Sequence, residues 1–151
     1  AKLAVGGSHP RAQALAMAAI RETFEETGLI VGSPGDVGTS SDAAWTSFRN
    51  LGVAPALDKL HYLGRAVTPT AQPMRFHARF FSINASEVTG DINPSEELED
   101  LQWVAVDNPK GLDMMQVTQF MLDTLAGHLG RTIKKSPFIS FQRGKPRILW
   151  Q

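Results

Sequence analysis

Three glutamates on one short segment carry the chemistry that this sequence of 151 residues offers most clearly. They are Glu22, Glu25 and Glu26 within Arg21-Glu22-Thr23-Phe24-Glu25-Glu26-Thr27-Gly28-Leu29. At roughly 100° per residue of α-helix they fall in one stripe, whereas Met17, Ile20 and Phe24 point to the opposite side. Carboxylates at i,i+3 and i,i+4 repel by roughly 0.2–0.5 kcal/mol per pair, and only Arg21, on the less favourable N-terminal side of Glu25, offers local compensation. The negative end of the helix macrodipole adds to the repulsion. Crowded carboxylate oxygens are what Mg²⁺ or Mn²⁺ takes as hard ligands, beside waters and substrate phosphates. The stripe therefore reads either as a divalent-metal site or as the solvated acidic face of a plain helical scaffold.

The elements that must position this stripe follow from periodicity and turn chemistry. Pro10 or Arg11 to Thr27 is Ala-rich and free of internal Pro and Gly, with Pro10 placed for a helix start and Gly28 for a C-cap. Gly32 to Ser41 concentrates turn formers and is predicted to be a loop, after which Ser41 and Asp42 can cap a short helix through Asn50, stopped at Gly52. Asp58 to Val67 and Met74 to Asn84 read as paired strands, and Leu101 to Val106 as a third. Asp113 to Leu129 has Met114, Val117, Phe120, Met121 and Leu125 at helical spacing, a core face on a second long helix. Pro137 to Phe141 and Arg147 to Trp150 read as short edge strands. With no internal repeat or linker, a single α+β domain over residues 1–151 is the simplest organisation.

Composition narrows the function classes. Fifteen Lys and Arg balance fifteen Asp and Glu, so no whole-molecule field draws the chain to nucleic acid or acidic lipid. The absence of cysteine excludes thiolate metal sites, disulfides and thiol enzymes. No apolar run approaches the roughly 20 residues of a membrane span, and a cytoplasmic protein without membrane or nucleic-acid partner is the expectation. The four histidines lack metal-ligand spacing, and Trp45 and Trp103 read as packing anchors.

The order Arg-Glu-Thr-Phe-Glu-Glu-Thr-Gly-Leu resembles the second half of the Nudix hydrolase signature, Arg-Glu-aliphatic-x-Glu-Glu-x-Gly-aliphatic, with Thr23 in the first aliphatic slot. Counting back by the signature's spacing places Gln13 where it has a Glu and Gly7 where it has a Gly. Either Gly6-Gly7 is the Nudix glycine loop and one carboxylate has been lost at Gln13, or Gly7 is coincidental and the chain resembles the coenzyme A diphosphatase-like subgroup, in which an insertion precedes the helix. RAQALAMAAIRETFEETG is similar to that subgroup's helix, and the strands that precede it in a Nudix domain are absent from this sequence. Arg65-Ala-Val-Thr-Pro69, Arg75-Phe-His-Ala-Arg-Phe-Phe81 and Glu97-Leu-Glu-Asp-Leu-Gln-Trp-Val104 look like successive strand segments of the same subgroup, with His77 departing from its acidic residue.

The resemblance implies a Nudix-type α/β/α sandwich, a mixed β-sheet between helices, hydrolysing the diphosphate linkage of a nucleoside diphosphate derivative with Mg²⁺ or Mn²⁺. Transferred residue by residue, Glu25 and Glu26 become metal ligands, Glu22 a ligand or general base, and Arg21 an ion-pairing residue. Gly28 becomes a structural turn residue and Glu97 a second candidate base. Arg65, Arg75 and Arg79 are candidates to bind substrate phosphate, against the alternative that they are strand positions facing water. Phe76, Phe80 and Phe81 either stack on a base or belong to the core. Lys134, Lys135, Arg143, Lys145 and Arg147 form a basic C-terminal region, a partner for a coenzyme A phosphate or a solvated surface. The implied partner is a small nucleotide, with coenzyme A or an acyl-CoA first and ADP-ribose, NADH and dinucleoside polyphosphates after it, acted on by a monomer or homodimer. A Nudix-fold binding module without catalysis is the rival that Gln13 favours.

Overall fold

The computed structural model describes residues 8–69, 76–93, 100–109, 111–131 and 133–151. It is α+β, with three α-helices and two sheets among those residues, one of them mixed. The chain divides into two compact units.

The first unit, Ser8–Leu60 with Ile83–Trp103, contains α1 (His9–Thr27), β1 (Gly32–Pro34), α2 (Ala43–Asn50) and β2 (Val53–Pro55). α1 starts with Pro10 in its first turn and ends at Gly28, whose φ of 75° is left-handed and whose N–H donates to Phe24 O at 2.8 Å. α2 starts at Asp42, whose Oδ1 accepts from the N–H groups of Ala44 at 2.9 Å and Trp45 at 3.2 Å. β1 and β2 pair antiparallel on either side of α2. Ile20, Val31, Phe48 and Ala56 are buried together, and the rings of Phe24 and Trp45 meet Phe48 edge-on at 5.5 and 5.3 Å.

The second unit, His61–Ser82 with Val104–Gln151, contains β3 (His61–Val67), β4 (His77–Ser82), α3 (Gln116–Ala126), β5 (Pro137–Gln142) and β6 (Lys145–Trp150). Its sheet runs β4-β3-β5-β6, with β3 and β5 parallel and the other two pairs antiparallel. Leu63, Ala66, Ile139 and Met121 form its buried centre, so α3 covers one sheet face with Val117, Phe120, Met121 and Leu125. Gly64 allows this approach: a Cβ there would stand 2.8 Å from Pro137 O and 3.1 Å from Met121 Cε.

Several sequence expectations change. Leu101 to Val106 is not a strand; residues 101–105 are irregular and Trp103 is 68% exposed, no packing anchor. Strand-forming side chains do not make a strand without a ladder partner, and this segment has none among the described residues. The Gly32 to Ser41 loop contributes β1. β5 is an interior strand rather than an edge, with Pro137 tolerated at its first position. Asp58 to Lys59 belongs to a 3₁₀ turn, Leu57–Lys59, and the strand begins at His61. α3 is shorter than the apolar stripe suggests, which leaves Met115 77% exposed. No helix among the described residues is long and apolar enough to cross a membrane.

Gly64→Ala is expected to destabilise the fold by about 1–3 kcal/mol through overpacking against the β5 backbone. Guanidinium unfolding followed by circular dichroism reads this, and an unchanged midpoint would show that β5 shifts freely.

Candidate functional site

The acidic stripe lies where helical periodicity puts it. Ile20 is buried and Phe24 packs beside it on the inner face of α1, while Glu22 and Glu25 are exposed and Glu26 is half-buried. Thr23, polar in an aliphatic slot, donates its hydroxyl to Ala19 O at 2.8 Å, so its methyl-bearing side chain stays on the helix without an unpaired polar group.

Arg21 organises the carboxylates. Its Nη1 donates to both Oε1 and Oε2 of Glu25 at 3.0 Å, and its Nη2 donates to Oε1 of Glu22. The same Nη1 stands 4.0 Å from Oδ2 of Asp42, whose other oxygen caps α2. One guanidinium therefore answers three acids on two helices. Glu26 makes no ion pair or side-chain hydrogen bond among the described residues, and Glu22 keeps Oε2 outside the Arg21 contact. Beyond α1 the backbone folds back on the helix end: Ile30 and Thr89 exchange hydrogen bonds of 2.8 and 3.0 Å, and Asn93 N donates to Thr27 O at 2.9 Å. Gly28 sits in this closure, where a Cβ would stand 2.8 Å from Asp91 O.

Carboxylate oxygens suit Mg²⁺ or Mn²⁺ by chemistry. By position the fit is partial. Among the described residues no three His, Cys, Asp or Glu side chains gather as a metal-holding group, and Glu25, which the resemblance makes a ligand, gives both oxygens to Arg21. Glu26 and Oε2 of Glu22 are the uncommitted donors. Gln13 is exposed on α1. Glu97, Arg75 and the Gly6-Gly7 pair lie outside the described residues.

Comparison of the chain with family models, curated proteins and solved structures finds no match.

Arg65 and Arg79 stand in the other unit, directly opposite one another on β3 and β4. Arg65 is held: its guanidinium carbon lies 4.2 Å over the Phe138 ring, its Nη2 donates to Gln151 Oε1 at 2.8 Å, and its Nε is buried without an acceptor among the described residues. Arg79 Nη1 donates to His77 O at 2.7 Å. The pair of arginines was legible as strand residues, but Phe138 and Gln151 as partners of Arg65 were not, since they are brought in by the parallel β3/β5 pairing. Tyr62 stands close by, packed edge-on to Phe81 at 5.8 Å. Burial pushes its hydroxyl above the ordinary value, and the charges of Arg65 and Arg79 pull against that rise. Phe80 belongs to the core below α3 and Phe76 is 56% exposed. A surface cavity of about 420 Å³ at the start of α3, lined among others by Met114, Gln119 and Phe120, holds none of the candidate metal, catalytic or phosphate-binding residues.

Two measurements check this description. Gly28→Ala is expected to lose about 1–3 kcal/mol of stability, from the left-handed φ and from contact with a backbone oxygen; a loss no larger than that of an ordinary surface substitution would mean the Gly28 turn is loose. Tyr62 is the single tyrosine of the chain, so an ultraviolet titration reports it alone. Its transition is expected above the usual phenol range and higher again in Arg65→Gln. Because the folded-state value is raised, the associated stability is present below the unfolded tyrosine value and fades as pH climbs through the folded one. A Tyr62 transition at or below the free-phenol value would contradict its burial.

Proposed function

We propose that the protein is a metal-dependent hydrolase of the Nudix type, with an α/β/α sandwich arrangement, cleaving the diphosphate linkage of a nucleoside diphosphate derivative. The observation that carries the reading is the end of α1, where three glutamates share one face, Arg21 organises two of them, and Gly28 closes the helix in a left-handed turn. Arg21, Glu22, Glu25 and Gly28 of the Arg-Glu-x-x-Glu-Glu-x-Gly order thus each have a local contact in this chain, and Glu26 is left open. Glu26 and Glu22 would hold Mg²⁺ or Mn²⁺. When bound, such an ion makes an attacking water more acidic and offsets phosphate charge as the P–O bond breaks.

In this reading Arg21 keeps Glu25 oriented through the contact of Nη1 with both carboxylate oxygens, and Glu25 or Glu22 takes the proton of the attacking water, with Glu97 the second candidate for that task. Arg65, Arg75 and Arg79 bind substrate phosphates. Coenzyme A or an acyl-CoA is the leading substrate class, followed by ADP-ribose, NADH and dinucleoside polyphosphates, and a cytoplasmic monomer or homodimer is the working state. A second reading, a nucleotide-binding module without catalysis, is supported by Gln13 in the place of a glutamate and by the full use of Glu25 by Arg21.

A hydrolysis screen over coenzyme A, ADP-ribose, NADH and diadenosine polyphosphates, with and without Mg²⁺ or Mn²⁺, separates these readings. Metal-dependent cleavage that falls at least about 10-fold in Glu26→Gln is expected. Cleavage indifferent to that substitution would remove Glu26 from the site. Nucleotide binding with no cleavage of any substrate would establish the non-catalytic module.

A further inference from the structure

The formal charge of zero hides two opposite halves. His61–Ser82 with Val104–Gln151 contains ten Lys and Arg and three Asp, a net charge of +7, whereas Ser8–Leu60 with Ile83–Trp103 contains four Lys and Arg and twelve Asp and Glu, a net charge of −8. From Thr124 to Gln151 there are six Lys and Arg and no acid. None of the 25 residues of β3, β4, β5 and β6 is Asp or Glu.

Strand register sorts these cations onto one face. α3 covers the side to which Gly64, Ala66, Phe80 and Ile139 point. Alternation then puts Arg65, Arg79 and Phe138 on the other side, as the placement of Arg65 over the Phe138 ring requires. Phe138 and Ser140 are two residues apart on β5, and Ser140 pairs with Arg147 and Gln142 with Lys145, so both β6 cations share that face. Arg147, Lys145 and His77 are exposed there, with Arg65 and Arg79 half-buried. Aromatic rings lie among the charges: His77 stands 6.1 Å from Phe138, and Tyr62 meets Phe81.

At about 4.8 Å per strand, the face from β4 to β6 spreads its cations over roughly 14 Å. One phosphate cannot reach across that width; successive phosphates of a flexible polyanion can. A regular duplex keeps its bases stacked away from a flat surface, and an acidic peptide or lipid surface makes no use of interleaved rings, whereas unpaired bases stack on them. We propose that the face of the β4-β3-β5-β6 sheet opposite α3 binds single-stranded nucleic acid, Arg65, Arg79, Lys145 and Arg147 meeting phosphates and the rings beside them meeting bases. It shares Arg65 and Arg79 with the hydrolase reading, whereas Lys145 and Arg147 belong to this proposal alone, so the β6 double variant tests it separately.

Fluorescence polarisation of a labelled strand of about 12 nucleotides, using the full chain, tests it. Four phosphate contacts predict a slope of log K against log salt of about −3. The double variant Lys145→Gln, Arg147→Gln, both at exposed positions, is expected to weaken binding and bring the slope nearer zero by about 1.4. Arg65→Gln is expected to weaken it as well, with circular dichroism checking its fold. The proposal is overturned if the strand does not bind, if the β6 double variant binds unchanged, or if a duplex of the same sequence, poly-glutamate or anionic phosphatidylserine vesicles bind as tightly as the strand.

Discussion

The contact on which the acidic site depends is the one between Arg21 and the two glutamates beside it. Three carboxylates at the negative end of a helix repel one another and the helix dipole, each term costing some tenths of a kcal/mol in water, about the size of the pairwise gains that Arg21 returns. Such small and nearly balanced terms do not decide how α1 is oriented. Burying a side chain such as Ile20 or Phe24 is worth about 1.5–3 kcal/mol each, several times more. The apolar face therefore sets the rotation of the helix against Phe48 and Val31, and the glutamates face outward as a consequence. Arg21 then settles the remaining question, which oxygens are committed and which are open. Its Nη1 contact with both oxygens of Glu25 and its Nη2 contact with one oxygen of Glu22 make the three acids unequal, although they look alike in the sequence.

That inequality marks the boundary of what periodicity could tell. The helix, its core face, its glycine cap and the common face of Glu22, Glu25 and Glu26 depend on interactions within four residues and were legible. So were the Asp42 cap and the approximate strands at His61–Val67 and His77–Ser82. What was not legible depended on partners distant in sequence. Leu101 to Val106 has the composition of a strand but no partner among the described residues, while the unpromising Gly32–Pro34 has Val53–Pro55 waiting after α2. β5 was short enough to pass for an edge, yet β3 on one side and β6 on the other make it interior. Asp42 presented itself as a helix cap, and its second role, facing Arg21 at 4.0 Å, follows only from the packing of α1 with α2.

The same distinction between local and distant applies to charge. A sum over the chain is blind to topology, and electrostatic attraction to a polyanion is set by the charges within about a Debye length, roughly 8 Å at physiological salt, of the surface it touches. No residue of β3, β4, β5 or β6 is itself an Asp or Glu. Arg65 and Phe138 are 73 positions apart, and the parallel pairing of their strands places one over the other; the hairpin then brings Arg147 and Lys145 onto the same face. Holding cations together this way has an electrostatic cost, which at Arg65 an aromatic ring offsets. Phe138 receives the Arg65 guanidinium, a contact worth about 0.5–1 kcal/mol at an exposed site and more when desolvated. A ring leaves the arginine its full charge toward solvent, where a carboxylate would have cancelled it. The two units thus meet crowded like charge differently: Glu22 and Glu25 of α1 share one arginine, and Arg65 of the β4-β3-β5-β6 sheet rests on an aromatic ring.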